Sequence, residues 1–185
     1  MITNFTTGFY TKLRLWPTTW AATTAYAVGN IVKPTTYASH AYKCTTAGTS
    51  ASSEPTWSTT NGGTTSDGTV TWTTFDTLTY NTLAPQTASL PYITFGLLTD
   101  MPMGAFQDTA LFEDMTFYVN IFSSTSVAHA LSIGDLIKTA MDNTTLTITS
   151  YTSMRCMREY TGNVSYNPDD KVFSIPMRYR VWGSK

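Results

Sequence analysis

A Thr-, Trp- and Gly-rich stretch from Trp16 to Thr82 interrupts a chain whose two flanks have a different texture. Before it lies one short apolar pattern, Ile2, Phe5, Phe9 and Leu13 at helical spacing. After it, long alternating strand patterns and one well-formed helix pattern run to Lys185. A single short helix cannot stand alone in water, and the C-terminal part lacks a first element. The flanks are therefore expected to form one discontinuous domain, residues 1–15 and 83–185, with residues 16–82 as a small inserted β-module.

Charged residues make up only 12% of the chain and Thr about a fifth, so the surface is polar through hydroxyls, which suits strands and close protein contacts. The net charge of −1 gives no overall bias toward nucleic acid or anionic membrane. Its distribution is uneven: Leu83–Asn143 carries −5 and Thr144–Lys185 carries +3. Opposite charge on two parts of one domain suits head-to-tail contact between copies; scattered solvated charge is the plain alternative. No secretion signal is read at Met1-Ile2-Thr3-Asn4, and no apolar run approaches a membrane span, so no membrane role is expected. Cys44 and Cys156 fall in different parts and are read as reduced thiols, consistent with assembly in a host cell's cytoplasm.

In the flanking domain, Tyr92–Leu98 and Met115–Phe122 alternate as strands, and Ser123–Asn143 reads as a helix capped by Ser124, Thr125 or Ser126. Its stripe is Val127, Leu131, Ile133, Leu136, Ile137, Ala140 and Met141, with Asn143 as the closing cap. Leu146–Tyr151 and Met154–Tyr160 read as short strands, and Lys171–Trp182 as a long one in which Pro176 indicates an edge or a bulge. Thr99–Asp114 holds Asp100, Asp108, Glu113 and Asp114 with no base, and is expected as a long loop or loose hairpin. The fold class is α+β, a mainly antiparallel sheet with helices packed on one side, plus the small all-β module.

The element order, the Leu83–Leu97 run with Pro85 and Leu90-Pro91-Tyr92-Ile93, the strand–helix pair Met115–Met141 and the closing Tyr179-Arg180-Val181-Trp182 resemble the tail terminator (tail completion) proteins of long-tailed bacteriophages. The resemblance covers Met1–Leu15 and Leu83–Lys185 and rests on loose motifs. It implies a virion protein that forms a six-membered ring at the head-proximal end of the tail. Such a ring ends tail-tube polymerisation and joins the tail to the head connector or stopper protein, with no enzymology and no cofactor. The insertion is a departure, because family members pass from the first helix to the next strand by a short loop. With DNA passing through the ring without specific binding, the acids Asp100, Asp108, Glu113 and Asp114 become candidates to line its lumen, since carboxylates do not adhere to phosphates. Arg178, Arg180 and Trp182, on the face of the last strand opposite Met177 and Tyr179, become candidates for contact with the neighbouring subunit or the tail-tube protein. The alternative for both arginines is solvation, or pairing within the subunit to Glu159 or Asp170.

The inserted stretch is punctuated by Gly29-Asn30, Ala47-Gly48, Glu54-Pro55, Asn61-Gly62-Gly63 and Asp67-Gly68, with short strands between. Its run of Trp20, Tyr26, Gly29-Asn30-Ile31-Val32, Tyr42, Glu54-Pro55-Thr56-Trp57 and Asp67-Gly68-Thr69-Val70-Thr71-Trp72 is similar to small chitin- and cellulose-binding-type modules; Asn30 departs from the acid often found there. Tyr37, Trp57 and Trp72 are the candidates for a glycan-stacking platform, which would make the protein a glycan-binding adhesion or decoration protein. The other reading places these rings in the module's core, because so few aliphatic side chains are available.

No phosphate cradle or nucleophile elbow is present. His129 has no Cys or Ser partner within sequence reach, His40 with Cys44 is too little for zinc, and Glu113-Asp114 and Asp169-Asp170 read as solvated loops. No metal and no catalytic residue is expected.

Overall fold

The computed structural model describes residues 2–36, 40–75, 78–105, 108–149 and 151–184. In chain order the elements are α1 (Ile2–Leu13), β1 (Thr18–Thr19), β2 (Ala25–Tyr26), β3 (Ile31–Lys33), β4 (Ala41–Thr46), β5 (Gly48–Thr49), β6 (Thr64–Asp67), β7 (Val70–Phe75) and β8 (Thr79–Asn81). They continue with β9 (Tyr92–Ala105), β10 (Asp108–Ser123), α2 (Val127–Met141), β11 (Thr144–Leu146), β12 (Thr152–Thr161), β13 (Ser165–Asn167) and β14 (Val172–Ser184). The chain divides into two compact units, Met1–Trp16 with Thr79–Lys185, and Pro17–Leu78.

The larger unit is built on a sheet in the order β11-β12-β14-β10-β9-β8, with β13 also paired to β14. The backbone pairs β10 and β14 from Phe112 opposite Ser184 to Ser123 opposite Phe173. Alternation decides what this spine buries: Met115, Phe117, Val119 and Ile121 on β10, and Ile175, Met177, Tyr179 and Val181 on β14. Phe9 from α1 stacks on Phe117 with centroids 4.2 Å apart and meets Tyr179 edge-on at 6.2 Å. Gly8 has a structural reason: a Cβ there would lie 2.7 Å from Ile148 Cγ1, so its absence lets α1 approach that segment.

Ser126 caps α2, its hydroxyl accepting from His129 N at 3.1 Å. The helix stops at Asp142, and Asn143 takes the left-handed conformation with φ 56°. The buried stripe is Ala130, Ile133, Gly134, Ile137 and Met141, whereas Val127 and Leu131, expected within it, are exposed.

Several expectations are corrected here. The unit is α+β in the broad sense, but strand dominates, and the sheets are mixed and curled rather than a sheet with helices packed on one side. β8 pairs parallel to β9, and register shifts at Thr116/Phe117 and Arg158/Tyr160 add local bend to long twisted strands. Of the two expectations for Thr99–Asp114, a long loop or a loose hairpin, the described residues show the hairpin, with β9 running to Ala105 and β10 starting at Asp108. The Leu146–Tyr151 strand is cut back to β11, ending at Leu146. Thr79–Asn81 pairs with β9, so the smaller unit ends at Leu78 rather than Thr82.

Pro176 sits on a central strand, not an edge. Its carbonyl accepts from Gly162 N at 2.7 Å, in the connection between β12 and β13. A residue's N–H and C=O point to the same side of a strand, so the missing donor faces that gap and β10 loses no ladder bond.

The smaller unit holds a sheet in the order β1-β3-β4-β7-β6 and a β2–β5 pair. Its core is Trp20, Val32, Tyr42, Cys44, Val70 and Trp72, with Tyr26 and Trp57 packed against it. The buried Asp67 carboxylate accepts from Trp20 Nε1 at 2.8 Å, Trp72 Nε1 at 3.0 Å and Ala51 N at 2.8 Å. One acid thus satisfies both indole donors that an aromatic core brings inside.

Candidate assembly surface

The outward row of β14 is Pro176, Arg178, Arg180 and Trp182, all exposed because their alternates fill the core. Register brings further side chains beside them from β12: Arg155 opposite Trp182, Met157 opposite Arg180 and Tyr160 opposite Arg178. The bulge between Arg158 and Tyr160 decides that last neighbour. Without the extra residue Glu159 would stand against Arg178; with it, Tyr160 does, while Arg158 reaches Asp142 at 3.0 Å. The result is a strip of cations interleaved with large apolar side chains on an uncovered sheet face.

Arg180 is committed within the subunit. Its Nε donates to Asp114 Oδ1 at 2.8 Å and its NH2 to Oδ2, a two-pronged fork. The hydrogen bonds and charge of Asp114 raise the guanidinium pKa above its already high ordinary value. The internal partner is therefore Asp114 rather than Glu159 or Asp170. Arg178 and Arg155 make no ion pair among the described residues.

Two of the four acids expected to line a lumen, Glu113 and Asp114, are engaged inside the fold. Glu113 is only 4% exposed and accepts from the Tyr151 hydroxyl at 3.1 Å. Burial, and then the Glu113 carboxylate, push the Tyr151 pKa up. Asp114 is taken by Arg180. Asp100 is exposed on β9, and Asp108 opens β10 with its side chain outside the described residues. A cleft of about 440 Å³, lined by Phe112, Glu113, Asp114, Arg180 and Trp182, joins this end of the hairpin to the strip.

Of the three candidates for a glycan platform, Trp72 is removed by its burial. Trp72 is fully buried and held by Asp67, so it has no face to offer. Trp57 is half-buried, leans on Tyr42 with centroids 4.1 Å apart, and donates from Nε1 to Glu54 Oε1 at 2.8 Å. Burial raises the Glu54 pKa, but hydrogen bonds from Thr35 and Trp57 outweigh it and hold the carboxyl below its usual range. Tyr37 lies outside the described residues. Asp67, which organises the module, was legible only as part of a turn signal.

His129 does have a serine partner: Ser123 Oγ and His129 Nδ1 share a hydrogen bond at 2.9 Å. Ser123 is buried and also accepts from Thr125 N at 3.3 Å, so the pair braces the turn into α2. Cys44 and Cys156 are both free and buried. Among the described residues no group of three or more His, Cys, Asp or Glu could hold a metal, and no helix is long and apolar enough to cross a membrane.

The profile of the family described as tail completion protein gp17 matches residues 66–184, more than half of the chain. The chain belongs to the tail completion protein gp17 family. Among solved structures it is similar to a chain of the "Virion of native gene transfer agent (GTA) particle", with 12% identity, a TM-score of 0.46, and coverage of 60% of this chain and 81% of that one. No match is found among curated proteins. A tail completion protein is a structural protein of a phage tail. The matched span takes in the end of β6 and all of β7 to β14, and leaves α1 outside it.

Proposed function

We propose that this tail completion protein forms a closed ring at the head-proximal end of a phage tail, ends tail-tube polymerisation there and joins the tail to the head connector. The family match over residues 66–184 carries this reading. The cationic and apolar strip around Arg178, Arg180 and Trp182 supports it as a surface built for a protein neighbour. Arg covers apolar area with its stem while its planar head pairs with carboxylates. In this reading DNA passes through the ring without base-specific contact. The lumen role of the four acids is not retained, because Glu113 and Asp114 are satisfied within the subunit. The Pro17–Leu78 unit is a guest that decorates the ring; with Trp72 inside the core, sugar binding is not part of the proposal.

The test is electron microscopy of particles made with and without this gene product. Rings in the purified protein, and overlong or headless tails when it is missing, are the expected results. Tails of normal length that still join heads in its absence would overturn the reading.

A further inference from the structure

The outward rows of β9 and β10 form rungs across the strand pair: Tyr92 stands opposite Phe122, Thr94 opposite Asn120 and Gly96 opposite Tyr118. The Tyr118 ring lies over Gly96, where a Cβ would come within 2.6 Å of it. A polar rung thus separates two aromatic ones, and the strand rise sets the outer two about 13 Å apart. The chain leaving β8 forms one wall, with Leu83 81% exposed at the rim, and encloses a groove of about 320 Å³. None of the residues lining it carries a charge. Thr94 lines it while only 6% exposed, and neither its hydroxyl nor the Asn120 carboxamide makes a hydrogen bond among the described residues. On the next strand, Pro176 stands beside Asn120 and Arg178 beside Tyr118. The groove therefore runs into the cationic strip at a guanidinium with no ion pair among the described residues. We propose that this groove seats an extended peptide segment of another virion protein, uncharged along the groove, with apolar side chains on the two aromatic rungs and a carboxylate at the Arg178 end.

The proposal rests on the tail-assembly reading and names the chemistry of one neighbour. A peptide unit offers one donor and one acceptor, and the Asn120 carboxamide can answer both, with the Thr94 hydroxyl beside it. An extended chain advances at the same rise as the strands below it, so side chains about four residues apart reach both aromatic rungs. The rings suit side chains better than a sugar. Tyr92 meets Tyr80 edge-on with centroids 5.8 Å apart and tilts 35° from Phe122 at 5.0 Å, which leaves notches rather than one flat platform. A charge in the middle of the segment would lose its water without gaining a partner, so the neutral lining rejects it. Arg178 then fixes the direction in which the segment lies, because its planar head pairs with a carboxylate at that end alone.

Photo-crosslinking in assembled tails tests it, with p-benzoylphenylalanine in place of Leu83 at the rim or Phe122 in the floor, and of the exposed Leu131 on α2 as a control outside the groove. The expected product at the groove positions is one segment of another tail or connector protein, sequenced by mass spectrometry. It should be uncharged between two apolar residues of the stated spacing, with Asp or Glu beyond one of them. No crosslink at either groove position, a segment charged along that stretch, or a crosslink to another copy of this chain would overturn the proposal. So would equal capture of the same segment at Leu131. Asn120→Leu with Thr94→Val keeps the groove's shape and removes its polar rung; with the fold checked by circular dichroism, it is expected to cut the Leu83 crosslink about tenfold. Arg178→Glu should also weaken it, and yields unchanged in both variants would overturn the proposed contacts. Cellohexaose that binds the purified chain and blocks the crosslink would assign the groove to a sugar instead. Rings without a crosslink at the groove would remove this proposal alone, and a crosslink from a chain that forms no ring would remove only the ring.

Discussion

Asp114 of β10 and Arg180 of β14 lie on one sheet face, one diagonal step apart, and close a two-pronged ion pair across the spine of the larger unit. Arg180 is half exposed, at 48% of its side chain, while Asp114 keeps only 12%. Solvent screens such a pair, so Arg180→Ala is expected to lower stability by no more than about 1 kcal/mol, and by less in high salt. Urea denaturation at low and high NaCl checks this; a loss that does not shrink with salt would point to packing of the arginine stem instead. Arg180→Lys is expected to recover only part of the loss, since an ammonium cannot reproduce the fork.

Cys156 couples the same unit to pH. Burial, and then the charge of Asp142, push its thiol up to about 12, against a small lowering by Lys12. The folded state therefore holds the thiol proton more tightly than the unfolded chain. That contribution is fully present below the ordinary thiol range and is lost as pH rises from about 9 toward 12. Tyr179, whose hydroxyl pKa is raised chiefly by burial, acts in the same direction. Denaturation at pH 8 and pH 11 should show a smaller alkaline loss in Cys156→Ala than in wild type, whatever the substitution costs at pH 8. Thiol-specific labelling of Cys156 at pH 8 should wait for unfolding.

Gly8 sets helix propensity against packing. Alanine in a helix is favoured over glycine by roughly 0.5–1 kcal/mol, but here its Cβ would stand 2.7 Å from Ile148 Cγ1 and 3.2 Å from the Thr147 carbonyl oxygen. Overpacking of that kind costs about 1–3 kcal/mol. Gly8→Ala is therefore expected to lower the Tm of the larger unit. A raised Tm would mean that the Thr147–Ile148 segment yields freely.

Asp67 is expected to decide whether the smaller unit folds. Asp67→Ala leaves two indole N–H groups and the Ala51 amide without their acceptor, at about 1–3 kcal/mol for each buried donor. A unit this small has only a few kcal/mol in reserve. Tryptophan fluorescence should report a melted module, and limited proteolysis should cut within residues 17–78 while the larger unit persists. The complementary deletion, Pro17–Leu78 replaced by a flexible Gly/Ser linker of about 15 residues, should keep a soluble domain with its own thermal transition. Loss of that transition would show that the two units fold as one.

Periodicity by itself determined a good deal of this protein. The spacing of Phe5, Phe9 and Leu13 marked α1, and alternation from Phe173 to Val181 marked the buried row of β14, because burial on one face leaves a local rhythm in the sequence. The aromatic composition of the Pro17–Leu78 unit likewise announced a core of rings. Partners distant in sequence were decided only by the tertiary structure. Arg180 finds Asp114 across a strand pair, Asp67 finds Trp20, and Ser123 finds His129 at a turn; a side chain's own neighbours in the chain do not encode such meetings. Pro176 read locally as an edge residue, yet it occupies a central strand, because the partner strand changes from β12 to β13 beside it. Val127 and Leu131 fitted the helical rhythm of α2 but stand in solvent, since the angle at which a helix meets its sheet selects which apolar positions are covered. The extra residue at Glu159 turns Tyr160 beside Arg178, and a bulge of one residue has no signature in composition or period.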